Sequence, residues 1–219
     1  MTHVNPHGMA PPAVFGAPLR RARLAVLLVH GRTQTPADMF DWIVRRIDLP
    51  DVAWLAPAAA DKSWYPARFM EPLAANQPQL DDALARLGAL SDELASEGFA
   101  PERQIVMGFS QGACLSCEYV WRQRRRYRAL IAFTGGLIGP PDMQWTSAGA
   151  DFAGMPVFLA DRDNDPWVPA SRMLETGAAF RAAGAHVIER IYPGSTHDIC
   201  AEEIDIARSM LVGAMEPAW

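Results

Sequence analysis

The stretch RQIVMGFSQG, residues 103–112, closes an apolar run on Gly108-Phe109-Ser110-Gln111-Gly112. It places a serine between two glycines, each two residues away, where a buried strand should stop. Residues 105–109 read as that strand and 111–125 as the helix that follows. A turn this tight strains the serine backbone and presses the residues two before and two after it together. Only very small side chains fit there, so Gly108 and Gly112 answer a steric requirement. The turn exposes the Ser110 oxygen above the sheet and aims the next helix N-terminus at whatever it attacks. The Gln111 backbone N–H is then a ready oxyanion donor.

Outward from this stretch, apolar runs alternate with helical patterns. LAVLLV (24–29) is continuous enough for a strand buried on both faces. Thr35, Pro36 and Asp38 form a capping signature that predicts a helix to about residue 47. Short strands follow at 52–55, 129–133, 157–160 and 187–192. Helices are expected at 79–97, 171–183 and 201–215, the first on the leucine spacing of Leu80, Leu84, Leu87, Leu90 and Leu94. Such alternation predicts an α/β chain with a mostly parallel sheet covered on both faces, which binds ligands at the carboxyl ends of its strands. Residues 1–20 read as an irregular arm and 21–219 as one domain.

A serine hydroxyl is a poor nucleophile at neutral pH and needs a base, itself oriented by an acid. On this architecture the acid and then the base follow the serine in the chain. Only His186 and His197 follow Ser110. His186 heads a strand, whereas His197 lies past that strand's end, on the edge that carries Ser110, and is the expected base. The loop DRDNDPWVP (161–169) offers Asp161, Asp163 and Asp165. Pro166 holds Asp165 in an extended backbone suited to an orienting carboxylate, so Asp165 leads and Asp163 is the alternative. The alternating aspartates lack the glycine and glutamate of a calcium loop, and no metal is expected. A second oxyanion donor should come from the loop after the first strand, where Gly31 allows a sharp turn and the Arg32 N–H can face Ser110. His30 reads as a structural residue of that loop.

The composition is consistent with this. Of 219 residues half are hydrophobic, and the formal net charge is −5, which argues against nucleic acid as a partner. The basic run at 122–128 falls where the helix after Ser110 should end, complements its dipole and stays solvated. Cys114 and Cys117 sit inside that helix and read as small core residues, neither a redox pair nor half of a zinc site. A redox protein built on them is a third rival reading. The N-terminus has no basic region leading into an apolar one, and no stretch has the length of a membrane span, so a cytoplasmic chain without a membrane anchor is expected. Monomer and homodimer are both left open.

The segments VHGR (29–32), GFSQGA (108–113), DPWVP (165–169) and YPGSTHDI (192–199), in this order at these elements, resemble the phospholipase/carboxylesterase family of α/β-hydrolases, which includes the acyl-protein thioesterases. The resemblance covers roughly residues 24 to 215. It implies an α/β-hydrolase fold, a triad of Ser110, Asp165 and His197, and oxyanion N–H groups from Arg32 and Gln111. It also implies a cofactor-free serine carboxylesterase acting on small to medium soluble esters. The alternatives on the same triad are an acyl-thioesterase or a lysophospholipase, and the remote one is a ligand-binding protein without catalysis. RTQTPADM after the HG pair replaces the small Gly-rich stretch of the thioesterases, and SWYPARFMEP (63–72) resembles the bacterial esterase branch. Dienelactone hydrolases carry cysteine in place of Ser110. No insertion is large enough for a lid. Trp64, Tyr65, Phe69 and Met70 are expected to line the acyl or alcohol pocket, with Trp167 beside the acid loop.

Overall fold

A computed structural model describes residues 4–146 and 152–216. Seven strands form one sheet in the order β1-β3-β2-β4-β5-β6-β7. They are β1 (Ala13–Gly16), β2 (Leu24–Val29), β3 (Val52–Ala56), β4 (Gln104–Phe109), β5 (Ala129–Phe133), β6 (Pro156–Arg162) and β7 (His186–Tyr192). All neighbouring pairs are parallel except β1, which runs antiparallel to β3. The central strands β2, β3, β4 and β5 are buried along their whole length, which is why their sequences are unbroken apolar runs rather than alternating ones. The arm expected to be irregular holds β1: its four residues alternate half-buried and exposed, the pattern of an edge strand whose stability comes from pairing with β3.

Helices cover both faces. Residues 36–47 comprise α1 (Pro36–Met39), one π-helical turn (Phe40–Val44) and α2 (Arg45–Ile47). They pack with α6 (Ala201–Met215) on one face, where Met39, Ile43, Ile204 and Leu211 meet Ile105, Met107 and Phe109 of β4. On the other face α3 (Gln79–Ser96), α4 (Gln111–Gln123) and α5 (Ala170–Ala182) bury Leu80, Leu87, Leu115 and Phe180 against Val106, Leu130 and Val157. The period-two split of β4 between these faces is the pleat of a strand. The expected capping box is present: the Thr35 hydroxyl accepts from the Asp38 N–H, and the Asp38 carboxylate accepts from the Thr35 N–H at 2.8 Å.

The basic run differs from its sequence reading. Helix α4 ends at Gln123, with Arg124 in the left-handed conformation. Arg122 then pairs with Glu118 and Asp81, and Arg125 with Asp92. Arg128 donates to the carbonyls of Gly213, Ala214 and Glu216, at the C-terminus of α6. The charge therefore complements the dipole of a helix 85 residues away in the chain rather than that of α4 alone. A cavity of about 690 Å³ lies here, among Arg23, Arg103 and Arg128.

Parallel strands bring the carboxyl ends of β2, β4, β6 and β7 to one edge, where Val29 is level with Gly108. The packing at this edge is close. A Cβ on Gly108 would run into the backbone of Gly112, and one on Gly112 into the carbonyls of Val29 and His30. Gly112→Ala should therefore force strand β2 and helix α4 apart, at a cost of about 1–3 kcal/mol. Denaturant unfolding of the variant checks this, with wild-type stability as the outcome against it.

Candidate active site

Ser110 is the residue between β4 and α4, and its backbone stands at φ 54°, ψ −121°. That conformation is strained for any residue with a Cβ and persists only where the surroundings over-determine it. Here the Ser110 N–H is held by the Phe133 carbonyl at 2.9 Å, and Ser110's own carbonyl accepts from the Cys114 N–H at 3.0 Å. Gln111 is the first residue of α4, so its N–H has no partner within the helix.

His197 Nε2 lies 2.8 Å from Ser110 Oγ, and His197 Nδ1 lies 2.7 Å from Asp165 Oδ2. A carboxylate only accepts, so Nδ1 donates to Asp165 and Nε2 is left to accept the serine proton. The other Asp165 oxygen accepts the N–H groups of Trp167 and Val168 at 2.8 and 2.9 Å, which locks the carboxylate as the extended backbone before Pro166 suggested. The His197 ring rests against Phe109, 5.1 Å away, and Phe109 in turn meets the edge of Trp42 from the π-helical turn. His186 heads β7, opposite Pro156 at the start of β6, and so faces the other edge of the sheet.

The three aspartates of the acid loop have separate roles. Asp163 does not reach His197. Its carboxylate accepts the Gly194 N–H at 2.8 Å, while the N–H groups of Asp163 and Asn164 donate to Tyr192 and Gly194. These bonds join the acid loop to the loop that carries His197. Arg162, which the sequence reading passed over, reinforces the join: its guanidinium donates to the Asp198 carboxylate at 2.8 Å and to Glu203 at 3.1 Å. Glu203 also accepts the N–H of Cys200, the residue that caps α6. Asp161 is fully buried; one oxygen accepts the Arg162 N–H and the other has no partner. Burial, with smaller repulsion from Asp165 and Glu203, pushes its carboxyl up to about 8.

The loop after β2 forms the opposite wall. His30 Nε2 accepts the Ala59 N–H, so Nδ1 carries the proton and donates to the Gly31 carbonyl. Burial lowers its pKa and keeps it neutral, the structural role expected of it. The Gly31, Thr33 and Gln34 N–H groups are bound to Gln34 Oε1, Lys62 O and Gly31 O. The Arg32 N–H stands between them, in a loop close enough that a Cβ on Gly31 would lie 3.1 Å from the Ser110 Cβ. The Arg32 side chain does something the sequence did not indicate: it donates to the carbonyls of Tyr65, Pro66 and Ala67 at 2.8–2.9 Å. The Gln111 side chain holds the same loop, accepting from the Trp64 N–H and donating to the Tyr65 carbonyl.

These bonds decide which aromatics meet the cleft. The cleft has a volume of about 650 Å³ and is lined by Tyr65, Phe69, Cys114, Trp167 and Val168 beside Ser110 and His197. Trp64, expected there, is instead fully buried behind it, with its indole N–H on the His30 carbonyl at 2.8 Å and its ring against His30 and His7. Met70 packs on the core beneath α3, α4 and α5 and does not line the cleft. Trp167 is 60% exposed at the mouth, with the Arg68 guanidinium 5.8 Å above its ring. Cys114 and Cys117 are buried free thiols of the core, and the Cys114 thiol is pushed up to about 12. Among the described residues no cluster of metal-binding side chains occurs, and no helix is long and apolar enough to cross a membrane.

The family model described as phospholipase/carboxylesterase matches residues 12–213. The chain belongs to that family. Its α/β-hydrolase fold is shared with the phospholipase/carboxylesterase of Dyadobacter fermentans, at 39% identity and a TM-score of 0.85 over 92% of this chain and 96% of that one. The esterase PE8 superposes with a TM-score of 0.78 at 25% identity, covering 93% and 98%. A protein named acyl-protein thioesterase 1, from Cryptococcus neoformans var. neoformans, is 26% identical over 76% of this chain and 82% of its own length. These family relatives are named as esterases, phospholipases or thioesterases. Arg32 after the HG pair, a departure from the thioesterase pattern, is the residue that fixes the 65–67 backbone over the cleft. No lid closes the cleft among the described residues.

The buried Asp161 has a measurable consequence. Its folded pKa lies above the ordinary 3.8, so the folded chain keeps a proton that the unfolded chain releases. The stability linked to it is full below pH 3.8, falls as pH rises, and is lost by about pH 8. Asp161→Asn, which mimics the protonated carboxyl, should gain in melting temperature over wild type from about pH 4 to about pH 8 and level off above that. Thermal unfolding across this range tests it, and a difference independent of pH counts against a neutral carboxyl at this position.

Proposed function

We propose that this chain is a serine carboxylesterase that hydrolyses small to medium soluble esters through an acyl-enzyme. The observation that carries the reading is the continuous hydrogen-bonded series Ser110–His197–Asp165, with its serine end at the wall of an open cleft. In this reading Ser110 Oγ attacks the ester carbonyl while His197 Nε2 takes its proton. The imidazolium so formed is stabilised by Asp165, which also holds the tautomer. The N–H groups of Arg32 and Gln111 receive the oxyanion, and the helix N-terminus at Gln111 adds favourable charge. His197 then delivers the proton to the leaving alcohol. Water, activated by the same imidazole, cleaves the acyl-enzyme and restores Ser110. No cofactor takes part in this sequence of steps.

A second reading has one specific support: the fungal relative named acyl-protein thioesterase 1. Thioester or lysophospholipid hydrolysis would use the same residues, so only the substrate distinguishes it. Against a long-chain thioester stands the stretch after the HG pair, where RTQTPADM replaces the small Gly-rich stretch of the thioesterases. A panel of esters and thioesters of rising chain length should give the highest kcat/KM for short-chain esters. A maximum at long-chain thioesters would transfer the assignment to the second reading. A cytoplasmic location belongs to the proposal as well, supported by the use of all three cysteines as free thiols.

Ser110→Ala should fold and melt as wild type does and lose at least about 10³-fold in kcat. A variant with near-normal turnover would end the serine mechanism. Asp165→Asn should lose about 10³–10⁴-fold in kcat by mis-setting the His197 tautomer. Asp163→Asn weakens only the join between the two loops and should lose far less. Steady-state kinetics on one ester rank the two, and the reverse order would move the acid to Asp163.

A further inference from the structure

The cleft carries a charge opposite to that of the chain. The formal net charge is −5, yet the residues that line the cleft include two arginines, Arg32 and Arg68, and no aspartate or glutamate. The Asp165 carboxylate is fully buried and committed to His197 and to the Trp167 and Val168 N–H groups. The two cations share one wall. Arg32 grips the carbonyls of Tyr65, Pro66 and Ala67, and Arg68 is the next residue. Those three acceptors are neutral, so no partner cancels the Arg32 charge. The Arg68 side chain is exposed and has no hydrogen-bond or acid partner among the described residues; its guanidinium sits over the exposed ring of Trp167, 5.8 Å from the ring centre. A solvated surface arginine is ordinary. This one is seated on a ring, in the mouth of the cleft, beside a second uncancelled cation. An arginine stacked on an aromatic face is partly ordered before anything binds and keeps its donor fork. A cleft lined by one sign of charge concentrates substrates of the other.

We propose that the ester taken by this cleft carries a carboxylate remote from the scissile carbonyl, and that Arg68 binds it at the mouth beside Trp167. Arg32, whose donors are taken by carbonyls, adds only to the field. The single free fork matches the two oxygens and the single charge of a carboxylate. The proposal rests on the reading of Ser110 as the nucleophile, which places the reacting carbonyl and leaves the far end of the substrate to reach towards Trp167. A neutral ester of the same shape forgoes the charged contact.

The test uses the full chain and two pairs of esters, each a carboxylate and its terminal amide. One pair has the charge on the acyl side, monomethyl succinate against methyl succinamate. The other has it on the alcohol side, butanoyloxyacetate against butanoyloxyacetamide. In at least one pair wild type should show kcat/KM about tenfold higher for the carboxylate at low ionic strength, and the ratio should shrink as salt is added. In Arg68→Gln that ratio should fall towards one. Arg21→Gln makes the same charge change in the exposed turn before β2 and should keep the wild-type ratio. A wild-type enzyme that treats acid and amide alike in both pairs overturns the proposal while leaving the esterase reading in place. An unchanged ratio in Arg68→Gln, or an equal fall in Arg21→Gln, also overturns it, because the preference then comes from another group or from net charge. Retained turnover in Ser110→Ala overturns the esterase reading, and this proposal with it.

Discussion

The backbone of helix α4 touches the backbone of strand β2 with nothing between them. Gly112 lies against the carbonyls of Val29 and His30, and Gly108 against Gly112 itself. This contact lets the chain reverse from β4 into α4 within one residue, and it holds Ser110 at φ 54°. A normal turn would let the serine relax into the sheet edge and its oxygen would be lost to the cleft. The strain is sustained by the bonds to Phe133 and Cys114, and by a sheet whose central strands are fully buried. Every other part of the site is placed relative to this oxygen.

On one side of it, two loops act as a single body. The ends of β6 and β7 are adjacent in the sheet, so the loops that carry Asp165 and His197 emerge side by side. Asp163, Arg162 and Asp198 then bind one loop to the other through backbone and side-chain hydrogen bonds. Phe109, on β4, supports the imidazole face. An imidazole in hydrogen-bond contact at both nitrogens needs such support, since a shift of one ångström would break one contact or the other.

On the other side, Arg32 and Gln111 each serve twice. Their backbones belong to the loop and the helix start that face Ser110, and their side chains hold residues 64–67 by their own carbonyls and amides. The cleft wall is thereby fixed to the same two residues whose N–H groups we assign to the oxyanion. Pocket shape and the geometry around the serine are coupled through single residues.

What the sequence determined by itself was everything set by local sterics or by chain order. The glycines around Ser110, Pro166 after Asp165, the Thr35–Asp38 cap and the buried runs of β2 and β4 each act within a few residues. The chain order of serine, acid and base, together with the edge on which each strand ends, singled out His197 over His186. The tertiary structure alone decided matters that depend on partners far along the chain. Strand β1 exists because β3 offers it an edge. Arg128 caps α6 and not α4, because the C-terminus of α6 lies within its reach. Of the neighbours Trp64 and Tyr65, equally aromatic and equally apolar in sequence, the first is turned into the core by the His30 carbonyl and the Gln111 side chain, and the second lines the cleft. Their composition cannot separate them, because the direction a loop side chain takes is set by hydrogen bonds to backbone more than thirty residues away.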